Sequence, residues 1–218
     1  MARSLKKLIA AVFCLVLLFE LSSCSVNTKS AEQTGFSMGS LVGIKLYGKN
    51  SEALENANLL AEVVKTDERI SKNYEGSDIY RVNSSGEHGE TVSSKTYDEL
   101  CTVCDVYSDS HGKAAVLSGA LTELWGFDTD EFRLPSEDEI LSAKEKCGDD
   151  KLIFDDGKKV YIPDGAKLNL GSAGKGIALD EAVKRIDEIN SQGGKITGAV
   201  ISVGGSVATY GLPKKGKS

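Results

Sequence analysis

Histidine is almost missing from this chain: His88 and His111 are its whole supply, too few to build a His-rich zinc centre. Cysteine does no better. The CTVC stretch places Cys101 and Cys104 at a spacing used by redox and zinc motifs, but no second pair completes four ligands, and Cys147 stands alone. Tyr97, Leu100, Cys101, Cys104 and Tyr107 fall at helical spacing on one face, so both thiols are expected to pack as small apolar groups inside a helix interface. Positive charge is also scarce, with 26 Lys and Arg against 32 Asp and Glu, which argues against a nucleic-acid partner. No internal repeat or heptad run is present. Aromatic residues make up only 6% while glycine occurs 23 times, a balance that suits a chain of helices and strands joined by many tight turns.

No apolar run is long enough to span a bilayer, which takes roughly 20 residues; the longest, from Leu8 to Phe19, follows Arg3, Lys6 and Lys7 and reads as a secretory signal. Leu21-Ser22-Ser23-Cys24 resembles the bacterial lipoprotein cleavage box, which implies that residues 1–23 are removed and that Cys24 carries lipid. The expected location is the extracytoplasmic side of the cell membrane, held by a lipid anchor. Removing residues 1–23 takes away three basic side chains and one acidic, leaving 23 against 31, a net charge of −8. Residues 24–35 are polar and without periodicity and read as a tether. Residues 36–218 are left as the domain, enough for one sizeable core or two small ones.

Within that domain, Val42, Ile44 and Leu46 alternate along a strand over residues 38–47. Residues 51–71 predict one amphipathic helix with Ser51 as its N-cap, and residues 95–109 predict the helix that holds the thiols. KLIFD and KKVYI around Asp156-Gly157 predict a hairpin with positive φ angles at those two residues. A short strand is expected over residues 167–170, a helix over residues 177–189, an apolar strand over residues 198–203, and a return through Gly204-Gly205-Ser206 into VATYG. Helices mixed with hairpins favour an α+β fold, with antiparallel or mixed sheets and packed helices, over a doubly wound parallel sheet.

Two glycine-rich segments invite a phosphate. GLPKKGKS, residues 211–218, satisfies the pattern of a nucleotide-binding loop, yet that loop works by delivering its hydroxyl residue to a helix N-terminus, and Ser218 is the last residue. A triphosphatase is rejected on that ground, and a chain stopping on such a turn just after an apolar strand is expected to be cut short. KLNLGSAGKGIALD, residues 167–180, has the better context: a turn with glycines at 171, 174 and 176 feeds a helix start, and Lys175 adds an ammonium. That arrangement suits a pyrophosphate or phosphate monoester; the alternative is a plain glycine-rich connection with an exposed lysine.

MGS at 38–40, DERISKNYEGSDIYRVN at 67–83, SGALTELWGF at 118–127, NLGSAGKGIALD at 169–180 and ISVGGSVATYG at 201–211 occur in the order seen in the ApbE family of flavin transferases, and the chain resembles that family over residues 36–216. The resemblance implies an enzyme, an FAD:protein FMN transferase that uses Mg²⁺ to move FMN from FAD onto a Ser or Thr of a partner flavoprotein, with Rnf/Nqr-type membrane redox subunits as candidate acceptors. It also implies site residues. Met38 should touch the flavin, and the position of a stacking aromatic falls at Asn73 by strict spacing, with Tyr74 the nearest aromatic. Lys113, Ala114 and Ala115 occupy a cofactor-contacting segment, but the carboxylate expected at Ala115 and the hydroxyl expected at Leu117 are absent. Asn169 should face the cofactor, Lys175 its phosphates, and the Ser172 carbonyl should ligate Mg²⁺. The family's principal metal ligands follow a later tryptophan-bearing strand that this chain does not reach, and no catalytic residue is assigned. The lost carboxylate leaves a second reading, a surface flavin-binding lipoprotein without transferase activity.

Overall fold

The computed structural model describes residues 28–127, 129 and 131–211; the signal, Cys24 and the GLPKKGKS ending after Gly211 lie outside the described residues. Strands β1 (Lys29–Ser37) and β2 (Ser40–Gly48) form an antiparallel hairpin closed by Met38 and Gly39. Helices α1 (Ser51–Asn56), α2 (Leu59–Ile70) and α3 (Asp78–Ser85) follow, then β3 (Glu90–Thr91), α4 (Ser94–Asp109), α5 (Gly119–Trp125) and α6 (Glu137–Lys144). The chain ends with β4 (Ile153–Phe154), β5 (Lys159–Tyr161), α7 (Gly174–Ser191), β6 (Ile196–Val203) and β7 (Ser206–Tyr210). The larger sheet runs β1-β2-β6-β7 and the smaller β3-β5-β4, all pairs antiparallel. The fold is α+β, as the mixture of helices and hairpins implies.

Each sheet anchors its own core. Val42, Ile44 and Leu46 on β2, with Ala199, Ile201 and Val203 on β6, pack under α2 and α7, where Leu59, Val63, Ala178, Ala182 and Ile186 are buried. The alanines at α7's contact face keep that helix close to its neighbours. The second core gathers Ile79 and Val82 of α3, Leu100 and Val103 of α4, and Val160, Ile162 and Leu168. Met38 packs against both cores. Tyr97 and Cys104 lean on the second core as expected of that helix face, and burial pushes the Cys104 thiol up to about 12.

Five expectations are corrected. Residues 29–35 are not a tether but most of β1. Their polarity hides a structural use, because the Gln33 side chain accepts the Leu60 N–H at 3.1 Å, one of the orphan donors at the start of α2, and Leu60 packs over Gly35. The helix expected over residues 51–71 is two helices, broken at Asn58, whose φ is 42°. Asn tolerates that left-handed geometry, and the break lets Leu54, Ala57, Leu59 and Val63 all be buried. Asn50, not Ser51, caps α1, accepting from Glu52 N at 3.1 Å.

In the β4–β5 hairpin the positive φ sits at Lys158 (59°) rather than at Asp156-Gly157. Four residues, 155–158, separate the strands rather than two, and Asp155 Oδ1 holds them by accepting from Gly157 N and Lys159 N. Residues 167–170 join no sheet ladder. Instead the Asn83 amide brackets Leu168, donating to its carbonyl at 2.9 Å and accepting its N–H at 2.7 Å, so a side chain does the work of a neighbouring strand.

Candidate functional site

At one end of the larger sheet the β1–β2 turn, the C-terminus of α2 and the approach to α7 enclose a cleft of about 170 Å³, lined by Met38, Asp67, Ile70, Lys72, Asn73, Asn169, Gly171, Gly174 and Lys175 among others. The β6–β7 turn closes in behind it. A Cβ built on Gly204 would lie 3.1 Å from Lys175 Nζ and 2.9 Å from Ser40 Oγ, which puts the ammonium beside that turn. Lys175 makes no ion pair among the described residues.

The first wall is a strained turn. Met38 and Gly39 both take positive φ, 51° and 64°, the pairing that a two-residue hairpin loop of right-handed strand twist demands. Methionine enters that region at a cost. Asp67, in the last turn of α2, answers it: one carboxylate oxygen, Oδ2, accepts the Met38 N–H at 2.7 Å and the Ser37 hydroxyl at 2.9 Å.

The opposite wall is the glycine turn. Asn169 donates its backbone N–H to Val116 O at 2.8 Å, while its side chain donates to Thr122 Oγ1 at 3.0 Å and accepts from Gly171 N at 2.9 Å. One N–H and one lone pair of that amide are then left for a ligand. A 3₁₀ turn over Leu170–Ser172 leads into α7, whose amides ahead of the first intrahelical bond, Ile177 N to Ala173 O, form the positive end of the helix dipole. The three glycines differ in kind. A Cβ on Gly174 would meet Ile70 Cδ1 at 3.3 Å, whereas one on Gly176 would meet nothing and one on Gly171 only its own neighbour Asn169. Gly174 therefore serves packing against α2, and the open approach lies at Gly171 and Gly176.

Of the residues singled out from sequence, Met38, Asn169 and Lys175 line the cleft together, as does Asn73. Tyr74 is 54% exposed and stands outside the lining, beside Gly76. Ser172 is exposed on the turn. Lys113 and Ala114 are exposed and Ala115 half-buried, outside the lining and linked to it through the Val116–Asn169 bond. That segment is tied down by Asp149, whose carboxylate accepts Val116 N at 2.9 Å and Leu117 N at 2.7 Å; burial raises the pKa of Asp149 against those bonds. Asp67 and Gly204 were not singled out. The signal for Asp67 was its place: a carboxylate in the final turn of a helix opposes the dipole, so it needs another reason to be there.

A larger cavity of about 700 Å³ lies between α2, α4 and α7. Its walls are charged, and several of those charges pair with one another. Glu181, only 4% exposed, is paired with Lys95 and with Lys184 at 2.8 Å, and Lys95 also reaches Glu62 at 3.5 Å. Glu99 holds Arg69 of α2 through two hydrogen bonds. Burial pushes the Glu181 carboxyl up, but the Lys184 and Lys95 ammoniums together outweigh it and leave the pKa below the usual carboxylate range.

The chain is similar to known flavin transferases in sequence and in fold. It is 22% identical to an FAD:protein FMN transferase of Haemophilus influenzae over 98% of this chain and 64% of that protein. It is 25% identical to one of Klebsiella pneumoniae over 90% and 59%. Its coordinates superpose on the ApbE protein of Thermotoga maritima with a TM-score of 0.74 at 25% identity, covering 83% of this chain and 59% of that one. The apo flavinyl transferase ApbE of Pseudomonas stutzeri gives 0.72 at 24% identity, over 84% and 58%. The chain thus spans about three fifths of the length of the curated relatives it matches. The sequence profile of the ApbE family matches residues 38–218, from the strained methionine of the cleft onward, and the chain belongs to the ApbE family.

Proposed function

We propose that the cleft between the Met38 turn and the N-terminus of α7 is the FAD subsite of an FAD:protein FMN transferase. The observation that carries this reading is the meeting of Met38, Asn169 and Lys175 in one cleft, residues drawn from two blocks far apart in a chain whose family includes such transferases. In the reaction an acceptor Ser or Thr oxygen bonds to the phosphorus of the FMN half, the pyrophosphate P–O bond breaks, AMP leaves with that electron pair, and the hydroxyl proton is released. Lys175 and the unbonded amides of α7 oppose the negative charge of the pyrophosphate, and Met38 offers a polarisable apolar surface to the ring. A cleft of about 170 Å³ takes part of the dinucleotide, not all of it.

Mg²⁺ enters through the family resemblance, with the Ser172 carbonyl as one ligand. Among the described residues no group of three or more His, Cys, Asp or Glu is placed to hold a metal ion; these residues do not complete an Mg²⁺ site, and no step is assigned to the ion. The acceptor is a flavoprotein, with Rnf/Nqr-type membrane subunits the first to try. The charged start, apolar run and Cys24 box support a lipid-anchored, extracytoplasmic location; Cys24→Ser should release the protein from membranes, and a variant that still sediments with them would refute the anchor.

The test of function is to incubate the full chain with FAD, MgCl₂ and a flavoprotein acceptor, following FAD affinity, AMP and covalent flavin on the acceptor. Transferase activity yields AMP and a fluorescent acceptor band after denaturing electrophoresis. Intact FAD retained without AMP supports the storage reading, which the alanine at position 115 favours. Lys175→Ala should weaken FAD binding by on the order of 1–3 kcal/mol, the scale of one charge-assisted contact. Wild-type protein that binds no FAD, or a Lys175→Ala variant with unchanged affinity, would return the segment to a plain glycine-rich connection.

A further inference from the structure

We infer that Asp67 is a positioning residue of this cleft: it acts through Met38, holding the β1–β2 turn in the one conformation that presents the methionine to the ligand. The inference rests on the flavin reading of the cleft and adds to it a residue that touches the turn rather than the chemistry.

Four observations converge. Met38 is a non-glycine residue at φ 51°, a conformation that L-residues leave when nothing holds them. Its N–H is held by Asp67 Oδ2 at 2.7 Å, and the same oxygen takes the hydroxyl of Ser37 at 2.9 Å, so both residues leading into the turn hang on one atom. Asp67 itself lines the cleft, and it lies in the last turn of α2, where the helix dipole disfavours a carboxylate; helix stability alone does not explain its presence. Finally, Met38 packs against both hydrophobic cores, so a turn that relaxed would move a side chain wedged between the two halves of the molecule. A Cβ on the adjoining Gly39 would meet nothing, so nothing packs against that side of the turn, and the Asp67 bonds hold its backbone there.

The experiment compares Asp67→Ala, Asp67→Asn and Ser37→Ala in the full chain by three readouts: hydrogen exchange of the Met38 amide without ligand, FAD affinity, and visible circular dichroism of the flavin at saturation. The expected result for Asp67→Ala is that Met38 exchange speeds up and FAD affinity falls, each by about tenfold or more, as loss of a hydrogen bond to a charged group implies, with an altered flavin signal. Asn keeps an acceptor at the same place, so Asp67→Asn should return exchange and affinity to within about threefold of wild type. Ser37→Ala removes one bond of the two and should fall between them, and it keeps the test usable if Asp67→Ala does not fold. Wild-type affinity and flavin signal in Asp67→Ala would overturn the inference. So would loss of FAD binding in Asp67→Asn with the Met38 amide still protected, because charge and not position would then be the role. If the wild type protects Met38 but binds no FAD, the flavin reading fails and the positioning role falls with it, Asp67 being reduced to the lock of a turn.

Discussion

Two cavities among the described residues differ in the direction opposite to their size. The larger, about 700 Å³, is lined by charged side chains of which several are paired: Glu181 with Lys95 and Lys184, Glu62 with Lys95, and Arg185 with Glu188, while Glu99 holds Arg69 outside the lining. The smaller, about 170 Å³, holds a lysine without an ion pair among the described residues, a helix N-terminus, a half-committed amide and a methionine in a strained turn. Charges that satisfy one another bind helices together; groups left over can bind something else.

The difference can be broken most directly at Glu99. Its side chain is 11% exposed and its partner Arg69 17% exposed, so Glu99→Ala leaves a guanidinium with little water to replace the carboxylate. The expected cost is about 3 kcal/mol of stability, the lower end for breaking a buried pair, read from urea unfolding, with FAD affinity within about threefold of wild type. Lys175→Ala should do the reverse, weakening FAD and leaving the unfolding midpoint in place. A Glu99→Ala variant that keeps its stability but loses FAD would exchange the roles of the two cavities.

A smaller effect sharpens the same contrast through pH. Burial works against ionisation of Glu181 and Asp78, yet Lys184 and Lys95 for the first, and Thr96, Ser93 and Arg81 for the second, bring both carboxyls below their usual range. A carboxyl with a depressed folded pKa binds its proton more readily in the unfolded chain. Its contribution to stability is therefore complete above about pH 5 and is lost as pH falls through the folded value. Asp149, raised by burial, works in the opposite sense. Unfolding free energies measured from pH 7 down to pH 3 should decline, and Glu181→Gln should flatten that decline. An unchanged slope in Glu181→Gln would mean that the ion pairs around the larger cavity contribute nothing to holding the helices.

Much of this was legible beforehand, for reasons that lie in particular residues. Val42, Ile44 and Leu46 alternate and Ala182 and Ile186 repeat at helical spacing, so β2 and α7 are written locally. Lys175 was legible as a candidate from the glycine turn that feeds a helix, whereas Met38 and Asn169 were legible only through the order of five short blocks, because neither carries chemistry specific to a flavin. β1 was not legible: Gln33 and Gly35 look like linker until α2 lays Leu60 over the glycine and takes a cap from the glutamine. Nor was the break at Asn58, since Leu54, Ala57 and Val63 also fit one continuous helix, and only the shape of the core beneath them selects the kink.

By itself the sequence determined what depends on neighbours along the chain: the α+β alternation, the amphipathic faces, and the glycine turn ahead of a helix. Only the tertiary structure decided which glycines are open and which are packed, that Asp67 reaches back to hold the Met38 turn, and that Glu181 in the larger cavity is paired with two lysines. Those outcomes depend on distances of a few ångströms between residues far apart in the chain, and hydrogen bonds and close contacts act over no longer range.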